Sequence, residues 1–406
     1  MLEENFFRKG EIISRNTFVS MVIIVNTLVW YLYAFNFLNE IIQNSNLTYM
    51  ETVKCWFPNF IGATVSALIG ASFVSKIRKR VSFLYFWMFL GVISSIIPGV
   101  ISSNIPVISL LFGISFGLGM PVCLGYYANC TDIEKRALIS GIILFVNGVG
   151  TVLLAIVQSV SILANTLILA VWRAAGLVIF FLLQPTEKSK DTSKDFSYVE
   201  ILSQKSFLSY LLPWTMFSLI NYLSLPVEFS ILGEDSVRFL GIIESVLISG
   251  CSAIVGGFLS DNIGRKRMVI AGFVTLGIGY AVLGMYPRNL LSWYLFTVID
   301  GAAWGVFYTI FILTLWGDIS NGVSSDKYYA IGGIPFFLSN FIRFILTQYI
   351  VEAVPDYALF SFMAFFMFLA VIPLMFAPET LPEKKLRERE LRQYIEKAKK
   401  IKEKYV

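Results

Sequence analysis

Gly257-Phe258-Leu259-Ser260-Asp261-Asn262-Ile263-Gly264-Arg265-Lys266-Arg267 stands between two long apolar runs. So short a polar segment, so flanked, reads as a tight turn where one membrane helix ends and the next begins. Gly264 supplies the positive φ that such a turn demands. Asp261 is an acceptor-only carboxylate, placed to meet the positive N-terminus of a neighbouring helix. The Arg265-Lys266-Arg267 run holds the loop on the side of the membrane where basic residues collect.

The rest of the chain agrees with a membrane setting. It has 406 residues, 56% of them hydrophobic and only 15% charged, with a mean hydropathy of +0.72. A soluble domain of this length has no means of covering so much apolar surface, and runs of about 20 apolar residues recur throughout. The N-terminus (Glu3, Glu4, Arg8, Lys9, Glu11) lacks a signal-peptide cleavage pattern, so the first helix is expected to be kept. Cys55, Cys123, Cys130 and Cys251 all fall in or at the ends of helices, with neither a metal spacing nor a disulfide framework. Histidine is absent, which removes the commonest metal ligand and the usual general base. No cofactor or nucleic-acid partner is expected.

Hydropathy predicts helices over 17–39, 52–75, 81–101, 105–128, 136–159 and 165–184, then 206–227, 237–260, 267–286, 290–316, 328–351 and 357–377. A cytoplasmic N-terminus (1–16) precedes a first six-helix bundle (17–184). A polar, flexible linker (185–205) joins it to a second bundle (206–377), and a charged tail (378–406) follows. Glu383/Arg387, Glu388/Arg392 and Glu396/Lys400 give that tail helical i, i+4 pairs. Apart from Lys54, Arg238, Arg288 and the intramembrane Arg173 and Arg343, every basic residue falls on one side. Both termini are therefore expected in the cytoplasm of a cell-membrane protein.

The halves look like copies of each other. Gly70 and Gly257 lie 187 positions apart, as do Arg78-Lys79-Arg80 and Arg265-Lys266-Arg267. Such a parallel repeat places a site between the halves near mid-depth. The turn at 257–267 resembles, residue for residue, the loop signature of the major facilitator superfamily: Gly, small or apolar, Leu, Ala or Ser, Asp, two variable positions, Gly, Arg, Arg or Lys. In the first copy Val74 and Ile77 replace the acid and the second glycine. Glu134-Lys135-Arg136 resembles the family's loop 4–5 motif, and Pro378-Glu379-Thr380 resembles the end of its sugar-porter branch. That branch's paired glutamines are missing from helix seven. The resemblance implies an all-α membrane protein, twelve transmembrane helices in two pseudo-symmetric six-helix bundles around a central cavity. It also implies secondary transport by alternating access.

Four ionisable residues fall inside predicted helices at similar depth: Arg173, Glu244, Asp300 and Arg343. Each costs about 2.5–3.5 kcal/mol at a helix centre, so each needs a partner or a wet cavity. Two acids and two bases at one depth suggest mutual neutralisation, with Arg343 pairing Asp300 or clamping an anionic group. Thr297, Asp300, Trp304 and Tyr308 share one helical face, with Gly301 and Gly305 leaving room for close backbone approach. Ser245, Ser249 and Ser252 form a polar stripe beside Glu244, a candidate proton carrier. Neutral candidates complete the set: Asn26 and Trp30 on helix one, Asn147 on helix five and Asn221 on helix seven.

Two clusters on the basic side are candidate gates. Asp261 is predicted to contact the start of helix five near Arg136, with Gly264 in the turn and Arg265 close to Glu134. By pseudo-symmetry, Arg78 or Arg80 is predicted to meet Asp318 or Asp326. The expected function is transport of a small polar or weakly charged organic solute, proton-coupled as in a symporter, by a monomer in a lipid bilayer. A facilitative uniporter is the main alternative. A transporter-like receptor or scaffold is the alternative of another class, and a closed apolar seam between the halves would favour it. No nucleophile–base pair or metal constellation points to an enzyme.

Overall fold

The computed structural model describes residues 14–77, 79–101, 104–158, 161–186, 195–353, 355–381 and 391. Arg78, the segment 187–194 and, except for Leu391, the tail 382–406 lie outside the described residues, and with them the expected tail helix. Among the described residues, twelve helices are long and apolar enough to cross a membrane. The first six are α1 (Arg15–Gln43), α2 (Tyr49–Ile77), α3 (Arg80–Val100), α4 (Ile105–Cys130), α5 (Ile133–Ile156) and α6 (Ile162–Leu182). The second six are α7 (Lys205–Leu232), α8 (Asp235–Ile263), α9 (Arg265–Met285), α10 (Leu290–Ser320), α11 (Ser325–Ala353) and α12 (Tyr357–Phe376). The chain is a multi-pass membrane protein built as two six-helix bundles. Phe86, Leu153, Val171, Phe181 and Phe376 are among the large apolar side chains left exposed on its flanks, a surface suited to lipid chains.

Several helices outrun their apolar stretches, because the backbone ladder continues through polar end turns that hydropathy does not register. The largest consequence is at α7, expected to end at residue 227, which runs on to Leu232 and takes Glu228 into the helix. Several of these helices are irregular. α4 breaks between Gly117 and Met120, and α8 and α10 carry π-helical turns at Ile243–Ile248 and Tyr308–Thr314. Such turns widen the ladder and concentrate at functional sites; these two contain Glu244 and Tyr308.

Small residues set the closest approaches between helices. Within the first bundle, a Cβ at Gly113 or Gly117 of α4 would lie 2.2 or 2.0 Å from the carbonyl oxygens of Asn59 and Ala63 on α2. Between the bundles, α5 packs on α8 and α2 on α11. A Cβ at Gly141 would come within 2.2 Å of Ala253 O, and one at Gly257 within 2.3 Å of Ala137 O. Two turns further along α5, at Gly148, the nearest atom stands 4.0 Å away. α5 and α8 therefore meet tightly at the face bearing the Gly264 turn, the basic face, and separate towards the opposite one.

The linker is more ordered than its polarity suggests. Tyr198–Ser203 forms a short helix, with Ser197 and Glu200 in a reciprocal capping box. Tyr198 Oη donates to the Leu68 carbonyl on α2 at 2.5 Å. Asp195 pairs with Lys327 of α11 at 2.8 Å. This part of the linker lies docked across both bundles.

Candidate functional site: a cavity between the bundles and the ion pairs that close one end

A cavity of about 420 Å³ lies between α1 and α5 on one side and α7, α8 and α10 on the other. It extends from Leu232, Val237 and Trp293, near the helix ends of the opposite face, down to Tyr308. Thr297, Asp300, Trp304 and Tyr308 all line it, as do Glu244, Ser245, Ser249, Asn147 and Asn221. A smaller chamber of about 160 Å³ follows towards the basic face, sharing Leu32, Leu144, Asn147 and Tyr308 with the first. The seam between the halves is thus neither closed nor wholly apolar.

The charges in it are arranged differently from the expectation. Among the described residues no arginine pairs with Asp300; its carboxyl lies beside that of Glu244 on α8. Gly301 makes this contact possible. A Cβ there would stand 3.0 Å from Glu244 Cγ and from Ile248 Cβ, and one at Gly305 would meet Ser249 O at 2.4 Å. The two glycines thus admit α8, and with it the Glu244 side chain. A third acid, Glu228 of α7, lines the same cavity nearer the opposite face, beside Ser224. The early end assigned to helix seven hid it; its i, i+4 relation to Ser224 was the available signal. Asp300 is 6% exposed, and its Oδ1 has no hydrogen-bond partner among the described residues. Trp304 Nε1 donates to Asn221 Oδ1 at 3.1 Å, and Asn147 Oδ1 is left unpartnered.

Both intramembrane arginines are stabilised by aromatic rings, and neither lines the cavity. The Arg173 guanidinium is fully buried inside the first bundle, 4.5 Å from the centre of the Trp87 ring and 5.4 Å from that of Trp30. It donates to Asn26 Oδ1 at 3.0 Å and Thr27 Oγ1 at 2.6 Å. Gly91 opens its slot, since a Cβ there would lie 2.5 Å from Arg173 Nε. Asn26 is held by Arg173 and by the Trp172 carbonyl, and Trp30 donates to Ser95 Oγ at 2.7 Å. Helix α6 packs on α3 and α1, so this group belongs to the bundle interior. Arg343 stands 4.5 Å from the Phe344 ring centre and 5.7 Å from that of Tyr222. Helix α11 meets α7 and α2, which keeps this arginine from Asp300. Cation–π contacts replace the expected neutralisation.

At the basic face the charges do pair across the bundles. Asp261 accepts from the backbone N–H groups of Leu138 (2.8 Å) and Ala137 (3.3 Å) at the start of α5. Its carboxylate also pairs with Arg265 at 2.6 Å. Asp318 of α10 takes Arg136 of α5 on one oxygen and Arg265 on the other, the latter at 3.2 Å. All four side chains are buried. Arg265 donates to the Ile133 carbonyl (2.6 Å), beside Glu134 at the start of α5. On the pseudo-symmetric side, Arg80 pairs with Asp326 at 2.7 Å. Asp326 lies so close to α4 that a Cβ at Gly125 would come within 1.9 Å of its Oδ1. Gly264 holds φ +110°. Behind it, Glu379 caps α9 by accepting from Arg265 N (2.9 Å) and Lys266 N (3.2 Å), a residue noted only as part of a tail motif.

Comparison with known proteins follows the same lines. Residues 206–404 match the Major Facilitator Superfamily. No curated protein sequence matches the chain. Among solved structures, the proton:xylose symporter XylE bound to 6-bromo-6-deoxy-D-glucose is similar over 90% of this chain and 96% of its own, at 16% identity and a TM-score of 0.66. The Escherichia coli fucose:proton symporter FucP aligns over 88% and 98%, at 11% identity and 0.69. The human organic anion transporter MFSD10 aligns over 89% and 99%, at 14% identity and 0.65. The second half thus matches the Major Facilitator Superfamily by sequence, and nearly the whole chain shares the fold of these solved transporters.

Proposed function

We propose that this chain is a member of the Major Facilitator Superfamily and a proton-coupled secondary transporter, carrying a small organic solute through the central cavity by alternating access. The observation that carries the reading is the contact between Asp300 and Glu244 in a cavity between the bundles. Two adjacent carboxyls, with no lysine or arginine among the described residues of the cavity lining, favour holding one proton between them. A buried, exchangeable proton beside a solute cavity is what coupling requires.

The gate supports the same reading. Arg136–Asp318–Arg265 and Arg80–Asp326 bridge the bundles at one face, while the cavity reaches towards the other. Breaking these pairs as the halves rock would open the sealed side, so their strength biases the equilibrium between states. The moving bodies are 17–184 and 206–377, with 185–205 as their tether. The excess of basic residues supports a cytoplasmic sealed face, and with it we propose a place in the cell membrane. One chain encloses the whole cavity, so a monomer suffices.

The test is proton flux in proteoliposomes carrying an internal pH dye, challenged with sugars, organic acids and organic amines. A solute-dependent flux in the wild type that disappears in Asp300→Asn is the expected result. Solute movement without proton movement would assign uniport instead. No movement of any solute, under any imposed gradient, would overturn transport and return the receptor reading.

A further inference from the structure

We infer that the solute is an organic monocation, an ammonium or other onium group on an apolar body, and that it exchanges for the proton held by Asp300 and Glu244. The inference rests on the cavity being the transport site. It starts from a charge imbalance. Glu228, Glu244 and Asp300 line the cavity, whereas among the described residues none that lines it is a lysine or arginine. Asp300 is buried, its Oδ1 has no hydrogen-bond partner among the described residues, and Glu244 and the Trp304 indole stand beside its carboxyl. Arg343, at a similar depth by residue count, is already held by Phe344 and Tyr222.

The surroundings decide which cation fits. Among the described residues, no three His, Cys, Asp or Glu side chains are grouped so as to hold a metal ion. Instead Tyr222, Trp293, Phe296, Trp304 and Tyr308 line the same space as the acids. Aromatic faces attract a diffuse organic cation, and the attraction grows once the cation is desolvated. Below Tyr308 the smaller chamber is walled by Tyr31, Phe116, Trp214, Phe311, Trp316 and Phe337. The onium group therefore settles against Asp300 and Glu244, and the apolar body points into this chamber.

The exchange balances. In the solute-free state one proton sits between Asp300 and Glu244. As the cation arrives, that proton passes to water, and the net charge of the cavity is unchanged. The groups that face this pair are Tyr222 and Glu228 on α7, Tyr280 on α9 and Tyr308 on α10, with Arg343 of α11 behind Tyr222.

The test measures equilibrium binding of permanent cations to the purified full chain: tetramethylammonium, benzyltrimethylammonium and tetraphenylphosphonium, with xylose and benzoate as neutral and anionic competitors. Saturable binding of at least one cation is expected, undisplaced by xylose or benzoate and releasing about one proton per cation into weakly buffered solution. Asp300→Asn and Glu244→Gln should each weaken it by about tenfold or more, the loss expected for one charge-assisted contact. Two variants are used so that misfolding of one, seen by size exclusion, leaves the other to decide. Absence of saturable cation binding, or binding that survives both substitutions, overturns the inference. The proteoliposome assay separates the two readings. Proton-coupled movement of xylose or benzoate without cation binding leaves the transporter and removes the cation; cation binding with no solute moved does the reverse.

Discussion

Arg136 of α5 and Asp318 of α10 form a buried ion pair across the two bundles, and Arg265 occupies the other oxygen of the same carboxylate. One acid on the second bundle thus anchors the first helix of the facing seam. With Asp261 capping α5 from α8, two arginines and two aspartates close a neutral, nearly dry cluster at the basic face.

Asp318→Asn should loosen that closure. Removing one partner of a buried pair leaves the other charge uncompensated, at a cost of about 3–5 kcal/mol. A clear fall in the melting temperature of the detergent-solubilised protein is expected, together with faster labelling of a cysteine introduced at Ser140. An unchanged melting temperature would show that the cluster does not hold the face shut.

Gly301→Val tests how Glu244 reaches Asp300. The first added carbon already stands 3.0 Å from Glu244 Cγ, so the side chain must retreat. Overpacking of this kind costs about 1–3 kcal/mol. Solute-driven proton flux should fall to the level of Glu244→Gln, although both carboxyls are still present. Flux equal to the wild type would mean that contact between the two acids is dispensable.

The turn that joins α8 to α9 should be sensitive on two counts. A Cβ at Gly264 faces a positive φ and would lie 2.4 Å from Glu379 Oε2. Gly264→Ala should therefore destabilise by more than about 1 kcal/mol. Glu379→Ala, which loses the cap on α9, should cost about 0.5–2 kcal/mol. Thermal melts that rank both variants with the wild type would contradict this account of the turn.

The docked linker should respond to acid. Partial burial pushes the Asp195 carboxyl up, but hydrogen bonds from Lys327 and Ser324 together outweigh it and hold it below the ordinary aspartate value. A lowered folded value means the contact contributes fully above the unfolded pKa of about 3.9 and is lost as pH falls through the folded one. Its side chain is 45% exposed, so the contribution stays below about 1 kcal/mol. Protection of the 197–203 amides, taken relative to the intrinsic exchange rate at each pH, should be lower at about pH 3 than at neutral pH, and Asp195→Asn should be equally weakly protected at both. Protection independent of pH in the wild type would argue that Tyr198, not Asp195, holds the linker.

Much of the architecture could be read directly from the chain, because a bilayer leaves few options. A polar backbone in hydrocarbon must close its own hydrogen bonds, so each long apolar run becomes a helix. The Gly257–Arg267 stretch carried its turn, its acid and its family resemblance in consecutive positions, where spacing alone is informative. The contacts of Asp261 with the start of α5 and of Arg80 with Asp326 followed from the same local chemistry, whereas Asp318, expected opposite Arg78 or Arg80, pairs with Arg136 and Arg265.

The cavity charges were another matter. Asp300, Glu244 and Arg343 share a depth, and depth is all that residue counting along a helix provides. Which faces meet depends on how the helices pack. Gly301 and Gly305 bring α8 against α10, uniting two acids that sequence order places 56 positions apart. Gly91 and the Trp30 and Trp87 rings hold Arg173 inside its own bundle, and Phe344 with Tyr222 retains Arg343. Glu228 joined the site only because α7 continues one turn beyond its apolar run. Sequence by itself determined the membrane, the helices, the repeat and the basic face. Only the tertiary structure decided that the acids gather and the arginines do not, since side-chain partnership is a property of packed surfaces and not of position along the chain.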